Sequence, residues 1–212
     1  MTAKISLFQP CLGVVLAGGK SSRMGQDKAG LKRNKQDMLS YSKSLLQGVG
    51  STEIIVSGGE YGIDDLVTNI GPLGGIQSII HQFKPQALLI LPVDLPLMTA
   101  ETLAALKQAG ELSQKACYFT DHYLPLYLPV NAFVEQFFQQ LITQSLSQKA
   151  TQASVHTGKK RKLSGPSVRS LLNQIPHRAI TPKNSSCLFN TNTPEQWQQA
   201  KHLLSLQRKS HV

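Results

Sequence analysis

Short apolar runs alternate with helical stripes along most of the chain, which is the pattern of an α/β fold. Apolar runs at 12–16, 53–57 and 87–93 predict strands, and further runs at 117–119 and 124–128 predict two more. The run 87–93 is continuously apolar and too short for a typical independent helix. We therefore expect it to be a central strand that is buried on both faces.

Apolar residues at helical spacing predict the helices between these strands. The clearest stripe has apolar side chains at i, i+3, i+4 and i+7, and consists of Ile76, Ile79, Ile80 and Phe83. Two other predicted helices contain Tyr41, Leu45 and Leu46, ending at Gly48 and Gly50, and Leu103 and Leu106, between Thr99 and Gly110. A further helix contains Phe137, Phe138, Leu141 and Ile142. The last contains Trp197, Ala200, Leu203 and Leu204, and it follows a capping box formed by Thr193 and Gln196.

Length and composition indicate one soluble domain over residues 1–212, since no linker divides the chain and no apolar run approaches the roughly 18 residues that span a bilayer. The apolar start is interrupted by Gln9 and Pro10, so we interpret it as a first strand and not as a signal peptide. The chain has three cysteines, Cys11, Cys117 and Cys187, and no two of them form a C-x-x-C pair. This spacing argues against a disulfide framework or a zinc site. We expect a reduced, cytoplasmic setting.

The most informative segment is 13–28, in which the apolar strand 12–16 runs directly into a glycine-rich basic loop. The adjacent Gly18 and Gly19 allow the backbone to approach phosphate oxygens, while Arg23 and Lys28 supply positive charge. The loop is not a P-loop, because that motif needs a glycine where this chain has Val14, and it has no G-x-G-x-x-G pattern. It predicts a nucleotide-phosphate site at the carboxyl edge of the sheet.

A second candidate for chemistry is Asp94, which ends the predicted strand 87–93 between Pro92 and Pro96. An unpaired carboxylate there is unfavourable, and a bound Mg²⁺ would satisfy it, since this ion prefers oxygen ligands and often uses one carboxylate with substrate phosphates. A helix cap or a salt bridge is the alternative. The loop 71–75 precedes a helix, and its glycines allow a base or ribose to approach the backbone.

Four blocks resemble the molybdenum cofactor guanylyltransferase (MobA) family of nucleotidyltransferases, and they occur in the family's order. They are Leu16-Ala17-Gly18-Gly19-x-Ser21-x-Arg23-Met24-Gly25-x-Asp27-Lys28, Gly71-Pro72-Leu73-Gly74-Gly75, Leu91-Pro92-Val93-Asp94-Leu95-Pro96 and Asn190-Thr191-Asn192-Thr193-Pro194. The resemblance implies a three-layer Rossmann-like domain with a mostly parallel sheet. It also implies Mg²⁺-dependent transfer of GMP from GTP to molybdenum-bound molybdopterin, with chaperones of molybdoenzymes as further candidate partners.

The resemblance also implies site residues. Those expected at the nucleotide are Leu16, Ala17, Gly18, Gly19, Lys28, Ser57, Asp65 and Asp94. Lys28 would act on the α-phosphate, Arg23 on the leaving pyrophosphate and Asp94 on the metal ion. Asn190 and Asn192 would bind the pterin substrate, although two amides before a helix also suit local backbone groups.

The match to the family's pattern is imperfect at three places. Ser57 stands where the family often has asparagine, and Asp64 competes with Asp65 for the acidic position of the guanine pocket. His122 matches the family's His-Pro element imperfectly, so we assign it no proton transfer and expect a structural histidine.

Three other functions remain open from the sequence. A related transferase would use CTP or a sugar phosphate, and a non-catalytic sensor would bind nucleotide without turnover. The net charge of +10 and the basic run 159–162 would suit a nucleic-acid-binding module. That run has no interleaved aromatic residues for base stacking, so we expect a solvated loop and neither nucleic acid nor membrane as a partner.

Overall fold

The computed structural model describes residues 10–18, 24, 27–66, 70–152 and 166–209. Within these residues the strands are β1 (Cys11–Leu16), β2 (Lys32–Arg33), β3 (Gln36–Asp37), β4 (Ile54–Ser57), β5 (Ala87–Pro92), β6 (Ala116–Phe119), β7 (His122–Pro129) and β8 (His177–Ile180). The helices are α1 (Met38–Gly48), α2 (Pro72–Phe83), α3 (Ala100–Ser113), α4 (Ala132–Gln152), α5 (Val168–Leu172) and α6 (Pro194–Lys209). The predicted N-terminal strand before Pro10 and the basic run 159–162 lie outside the described residues.

One sheet organises the described part of the chain. Its strand order is β4-β1-β5-β7-β6-β8, and β2 and β3 form a separate small hairpin. β1 pairs in parallel with β4 and β5, β6 pairs in parallel with β8, and β7 runs antiparallel to both of its neighbours. Five of the six strands therefore point the same way, and the carboxyl ends of β1, β4 and β5 meet at one edge of the sheet.

Helices cover both faces of this sheet, which confirms the expected three-layer α/β architecture. On one face α2, α4 and α5 pack through Ile76, Phe138 and Leu171, among others. On the other face α1 and α3 pack through residues such as Leu46 and Leu106. β5 faces both layers, and its residues from Ala87 to Leu91 are each no more than 1% exposed, as its continuous apolar sequence predicts.

The predicted strands and helices are confirmed in kind and mostly shifted by a few residues at their ends. The prediction that Gly110 ends a helix is wrong, because α3 continues to Ser113. A Cβ at Gly110 would lie 2.0 Å from the Tyr127 ring, so this glycine provides close packing of α3 on β7 and not a helix end.

Three elements have no counterpart in the sequence-based prediction: the β2–β3 hairpin, α5 and the edge strand β8. β8 is largely exposed, with only Ile180 half-buried, so it has no apolar run to reveal it. Among the helices in the described parts of the chain, none combines the length and the apolar character that a bilayer crossing requires.

Candidate active site

The glycine-rich loop begins with a tight contact between β1 and the end of β4. The backbone nitrogens of Ala17 and Gly18 both donate to the carbonyl oxygen of Ser57, at 2.8 and 3.1 Å. Gly58 packs against them with φ +132°, and a Cβ on it would lie 2.2 Å from the nitrogen of Gly18. The end of β1 and the turn after β4 therefore form one rigid unit. Gly19 and Arg23, predicted for nucleotide binding and catalysis, lie outside the described residues.

A second close contact joins Ser57 to the first turn of α2. A Cβ on Gly75 would lie 1.8 Å from Oγ of Ser57 and 3.4 Å from Oδ1 of Asp65. The structure thus brings together two predicted nucleotide residues, Ser57 and Asp65. The prediction that 71–75 is a loop before a helix is wrong, because α2 begins at Pro72 and includes Gly75. Burial raises the pKa of the half-buried Asp65 carboxyl, and the neighbouring charge of Asp64 adds to the effect. Asp64 itself is exposed, which favours Asp65 as the residue facing a ligand.

The predicted catalytic lysine and aspartate meet beyond the carboxyl end of β5. Nζ of Lys28 lies 3.0 Å from Oδ2 of Asp94, and both side chains are less than one fifth exposed, at 16% and 17%. The same Nζ donates to Oδ1 of Asn192 at 2.6 Å. Three segments that are far apart in the sequence therefore converge on one ammonium group.

The backbone of Asp94 is fixed independently of its side chain. Its carbonyl oxygen accepts from both the backbone nitrogen and the hydroxyl of Thr191, at 2.9 and 3.2 Å. Thr191 is only 1% exposed, so this contact is buried. The second carboxylate oxygen, Oδ1 of Asp94, is also buried and has no hydrogen-bond partner among the described residues. A buried, unpartnered carboxylate oxygen is what a hard metal ion would satisfy.

The start of α6 holds Asn192 in place. Oε1 of Gln196 accepts from the backbone nitrogens of Asn192 and Thr193, at 2.7 and 3.1 Å, and the nitrogen of Gln196 donates to Oγ1 of Thr193 at 3.3 Å. This confirms the predicted capping box. Trp197 is core as predicted, at 6% exposed, and packs with Met24 and Met38.

Asn190, the other predicted pterin residue, behaves differently from Asn192. It is exposed, and its side chain makes no hydrogen bond to any part of the chain that the structure describes. The contact with Lys28 therefore distinguishes two asparagines that the sequence alone treats alike.

Sequence reasoning assigned no role to three residues near the site: Asp27, Arg33 and Tyr61. Nε of Arg33 donates to the carbonyl oxygen of Pro96 at 2.6 Å, and its guanidinium carbon lies 3.7 Å from the centre of the Tyr41 ring. Asp27 accepts from the nitrogen of Ala29 at 3.2 Å and from the hydroxyl of Tyr61. Only Asp27 could have been found from the sequence, because it directly precedes Lys28. Arg33 and Tyr61 depend on tertiary contacts, which the sequence does not reveal.

Three features lie at one edge of a mostly parallel sheet. They are a glycine turn at the end of β1, a lysine paired with a strand-end aspartate, and a buried carboxylate oxygen suited to a metal ion. This arrangement defines a nucleotide-dependent transferase of the α/β class.

Comparison with known proteins gives the family. A model described as the MobA-like NTP transferase domain matches residues 13–163. The molybdenum cofactor guanylyltransferase of Xanthomonas euvesicatoria is 34% identical over 93% of this chain and 98% of its own length. The chain belongs to the MobA-like NTP transferase family and is therefore a nucleotidyltransferase.

Solved structures agree on the fold. One is molybdopterin-guanine dinucleotide biosynthesis protein A from Archaeoglobus fulgidus, with a TM-score of 0.63, 16% identity and coverage of 92% of this chain and 98% of that one. Another is Rv0371c from Mycobacterium tuberculosis in complex with manganese, with a TM-score of 0.54, 14% identity and coverage of 92% and 99%. The family model and the Xanthomonas relative confirm the resemblance, and the solved structures confirm the fold class inferred from the sequence. The roles of individual site residues stay predictions.

Proposed function

We propose that this enzyme transfers GMP from GTP to molybdopterin that carries molybdenum. A terminal phosphate oxygen of the pterin attacks the α-phosphorus, the bond to the β-phosphate breaks, and pyrophosphate leaves with molybdopterin guanine dinucleotide as the other product. The observation that carries this proposal is the convergence of Lys28, Asp94 and Asn192 at the end of β5, beside the glycine loop. The extensive match to a guanylyltransferase supports the choice of GMP.

Asp94 is the residue proposed to hold Mg²⁺. Its buried Oδ1 lacks a partner among the residues described, and its Oδ2 is already in contact with a cation, the Lys28 ammonium. These oxygens fit a hard divalent ion, and the manganese complex of Rv0371c supports a divalent metal in this fold. When bound, Mg²⁺ would neutralise negative charge on the phosphate oxygens and so lower the barrier to the departure of pyrophosphate.

Lys28 is the residue proposed to act on the α-phosphate. A phosphate nucleophile needs little deprotonation, so the enzyme's task is to align the two substrates and to neutralise crowded negative charge. A lysine ammonium that is mostly shielded from water performs this task better than an exposed one, because the surrounding dielectric is lower. Arg23 is proposed to hold the leaving pyrophosphate.

The amides of Ala17 and Gly18 are bonded to Ser57, and the carbonyl oxygen of Leu16 accepts from the nitrogen of Val93 at 3.2 Å. While these bonds stand, the two amides are not free to donate to phosphate. Their proposed part in nucleotide binding is to fix the start of the loop, so that Gly19 and the residues after it reach the phosphates.

The guanine base is proposed to bind at the corner formed by Ser57, Gly75 and Asp65. An aspartate carboxylate accepts from both the ring N–H and the amino group of guanine, and cytosine cannot offer this pair of donors. Ser57 fills the space where a side chain at Gly75 would lie, so glycine at this position lets Ser57 pack directly on the start of α2, beside Asp65. Asp65 is therefore the proposed selectivity residue.

The proposed setting is the cytoplasm, where GTP is available and where the three buried free cysteines stay reduced. Chaperones of molybdoenzymes are proposed as recipients of the product.

The test is pyrophosphate release from GTP, CTP and ATP, each with molybdenum-loaded molybdopterin and Mg²⁺. Turnover should be selective for GTP and should fall about a hundredfold or more in Lys28→Met and Asp94→Ala. Lys32→Met is the matched control, because Lys32 is an exposed lysine that only approaches Asp37, at 3.9 Å. A preference for CTP would assign the chain to the related cytidylyl chemistry. Nucleotide binding without turnover would indicate a sensor.

A further inference from the structure

We propose that Asn192 is a positioning residue for Lys28: it keeps the lysine ammonium at the site while Asp94 binds the divalent metal ion. The inference rests on the proposed nucleotidyl transfer, and it assigns Asn192 a role on the nucleotide side of the reaction. It follows from three features of the described residues: the two acceptors of Lys28, the way Asn192 is fixed, and the unused half of its amide.

Lys28 has two acceptors of different charge. One is the carboxylate Oδ2 of Asp94 at 3.0 Å, and the other is the neutral amide Oδ1 of Asn192 at 2.6 Å. A divalent cation on Asp94 would repel the ammonium and compete for the same carboxylate. The amide carries no net charge, so the metal ion does not compete for it as strongly. Asn192 can therefore retain Lys28 when its ion pair with Asp94 is broken.

Asn192 is held firmly enough to perform this task. Its backbone nitrogen donates to Oε1 of Gln196 at 2.7 Å, within the capping box of α6. The preceding residue, Thr191, makes two hydrogen bonds to the carbonyl oxygen of Asp94. The two acceptors of Lys28 are thus fixed relative to each other through Thr191, and the ammonium can move between them without leaving the site.

The same amide has a free donor. Nδ2 of Asn192 makes no hydrogen bond with the residues that the structure describes, whereas Oδ1 is taken by Lys28. Nδ2 can donate to the phosphate of the acceptor substrate, so positioning of Lys28 and contact with the acceptor use different atoms. Asn192 would then link arrival of the acceptor to placement of the lysine.

The first test is a double-mutant cycle on Mn²⁺ affinity of the full-length, nucleotide-free protein, measured by electron paramagnetic resonance of free Mn²⁺. Lys28→Met should raise the affinity several-fold, because it removes the competing cation. Asn192→Ala should lower the affinity by about three- to tenfold in the native background and by less than about twofold in the Lys28→Met background. Asn190→Ala, which removes a neighbouring amide that does not contact Lys28, should leave Mn²⁺ affinity unchanged in both.

An equal loss from Asn192→Ala in both backgrounds would overturn the proposal, since it would make Asn192 a direct metal ligand. No loss in the native background would also overturn it. Neither result depends on the pterin or on GTP, so the cycle decides the role of Asn192 even where the proposed function fails.

The second test is steady-state turnover. Asn192→Ala should lower kcat by about ten- to a hundredfold, should raise the KM of the acceptor through loss of the Nδ2 contact, and should lower kcat no further in the Lys28→Met background. Gln196→Ala should cause part of this loss, and Gln196→Glu, which keeps an acceptor oxygen, should restore it. A raised acceptor KM with kcat unchanged would show that Asn192 serves the acceptor alone and would overturn the proposal. Absence of GTP turnover in the native enzyme would count against the proposed function instead.

Discussion

Thr191 donates two hydrogen bonds to the carbonyl oxygen of Asp94, one from its backbone nitrogen and one from its hydroxyl, at 2.9 and 3.2 Å. The two residues are 97 positions apart, and Thr191 is 1% exposed. This buried contact connects the segment before α6 to the end of β5, and it sets where the Asp94 carboxylate lies relative to Asn192.

Thr191→Val should therefore weaken both the fold and the reaction. It removes the hydroxyl donor while it keeps the backbone donor and the side-chain volume, so we expect a loss of about 1 kcal/mol in the free energy of unfolding. Urea denaturation and pyrophosphate release measure the two effects. Thr191→Ser keeps the donor and should retain more activity than the valine variant. Equal activity of the two variants would show that the hydroxyl does not position Asp94.

Gly75→Ala should disrupt the proposed base pocket. The added Cβ would lie 1.8 Å from Oγ and 2.9 Å from Cβ of Ser57, so Ser57 or α2 must shift. We expect a destabilisation of about 1–3 kcal/mol, as for other overpacked sites, and a raised KM for GTP. Isothermal titration with GTP and thermal unfolding check this prediction. Gly48→Ala is the control, because nothing lies within 4 Å of its Cβ, and it should not destabilise the protein. Unchanged GTP affinity in Gly75→Ala would remove this corner from the nucleotide site.

Asp65→Asn should stabilise the ligand-free protein at neutral pH. Burial raises the pKa of Asp65 above its ordinary value of 3.8, so the fold disfavours the charged form. The cost of burying the charged carboxylate appears as pH rises through 3.8 and is complete above the raised pKa of the folded state. The stabilisation by asparagine should therefore vanish below pH 3.8. Thermal unfolding across this range measures it. Asp64→Asn removes only a neighbouring charge and should stabilise less. If Asp65→Asn still stabilised the protein below pH 3.8, burial of the charged carboxylate could not be the cause.

The cysteines should be unreactive in the native protein. Burial raises the pKa of Cys11 to about 12 and raises that of Cys117, so both remain neutral thiols near physiological pH. Cys187 is also buried. A disulfide-exchange reagent such as Ellman's reagent should label little at about pH 8, and should label three thiols once guanidinium unfolds the chain. Rapid native labelling of Cys11 would mean that the start of β1 opens easily.

Much of the fold was predictable because its signals are local. The buried strand β5 follows from a continuous apolar run, and the start of α6 follows from the spacing of Thr193 and Gln196. Such patterns depend only on neighbouring residues and on the periods of strands and helices. The prediction for Gly110 was wrong because the ring that requires a glycine there, that of Tyr127, lies on another element. β8 was missed because its side chains are mostly exposed.

The sequence by itself determined the class of fold, the family and the chemical types at the site, since the glycine loop with Lys28 and the strand ending in Asp94 are visible as short patterns. Only the tertiary structure decided which side chains meet. The hydrogen bond from Lys28 to Asn192 joins residues 164 positions apart, and it exists because the packing of α6 and the bonds from Thr191 bring the C-terminal segment to the end of β5. Local periodicity carries no information about such a contact, because the order of strands and the burial of helix faces place the segments.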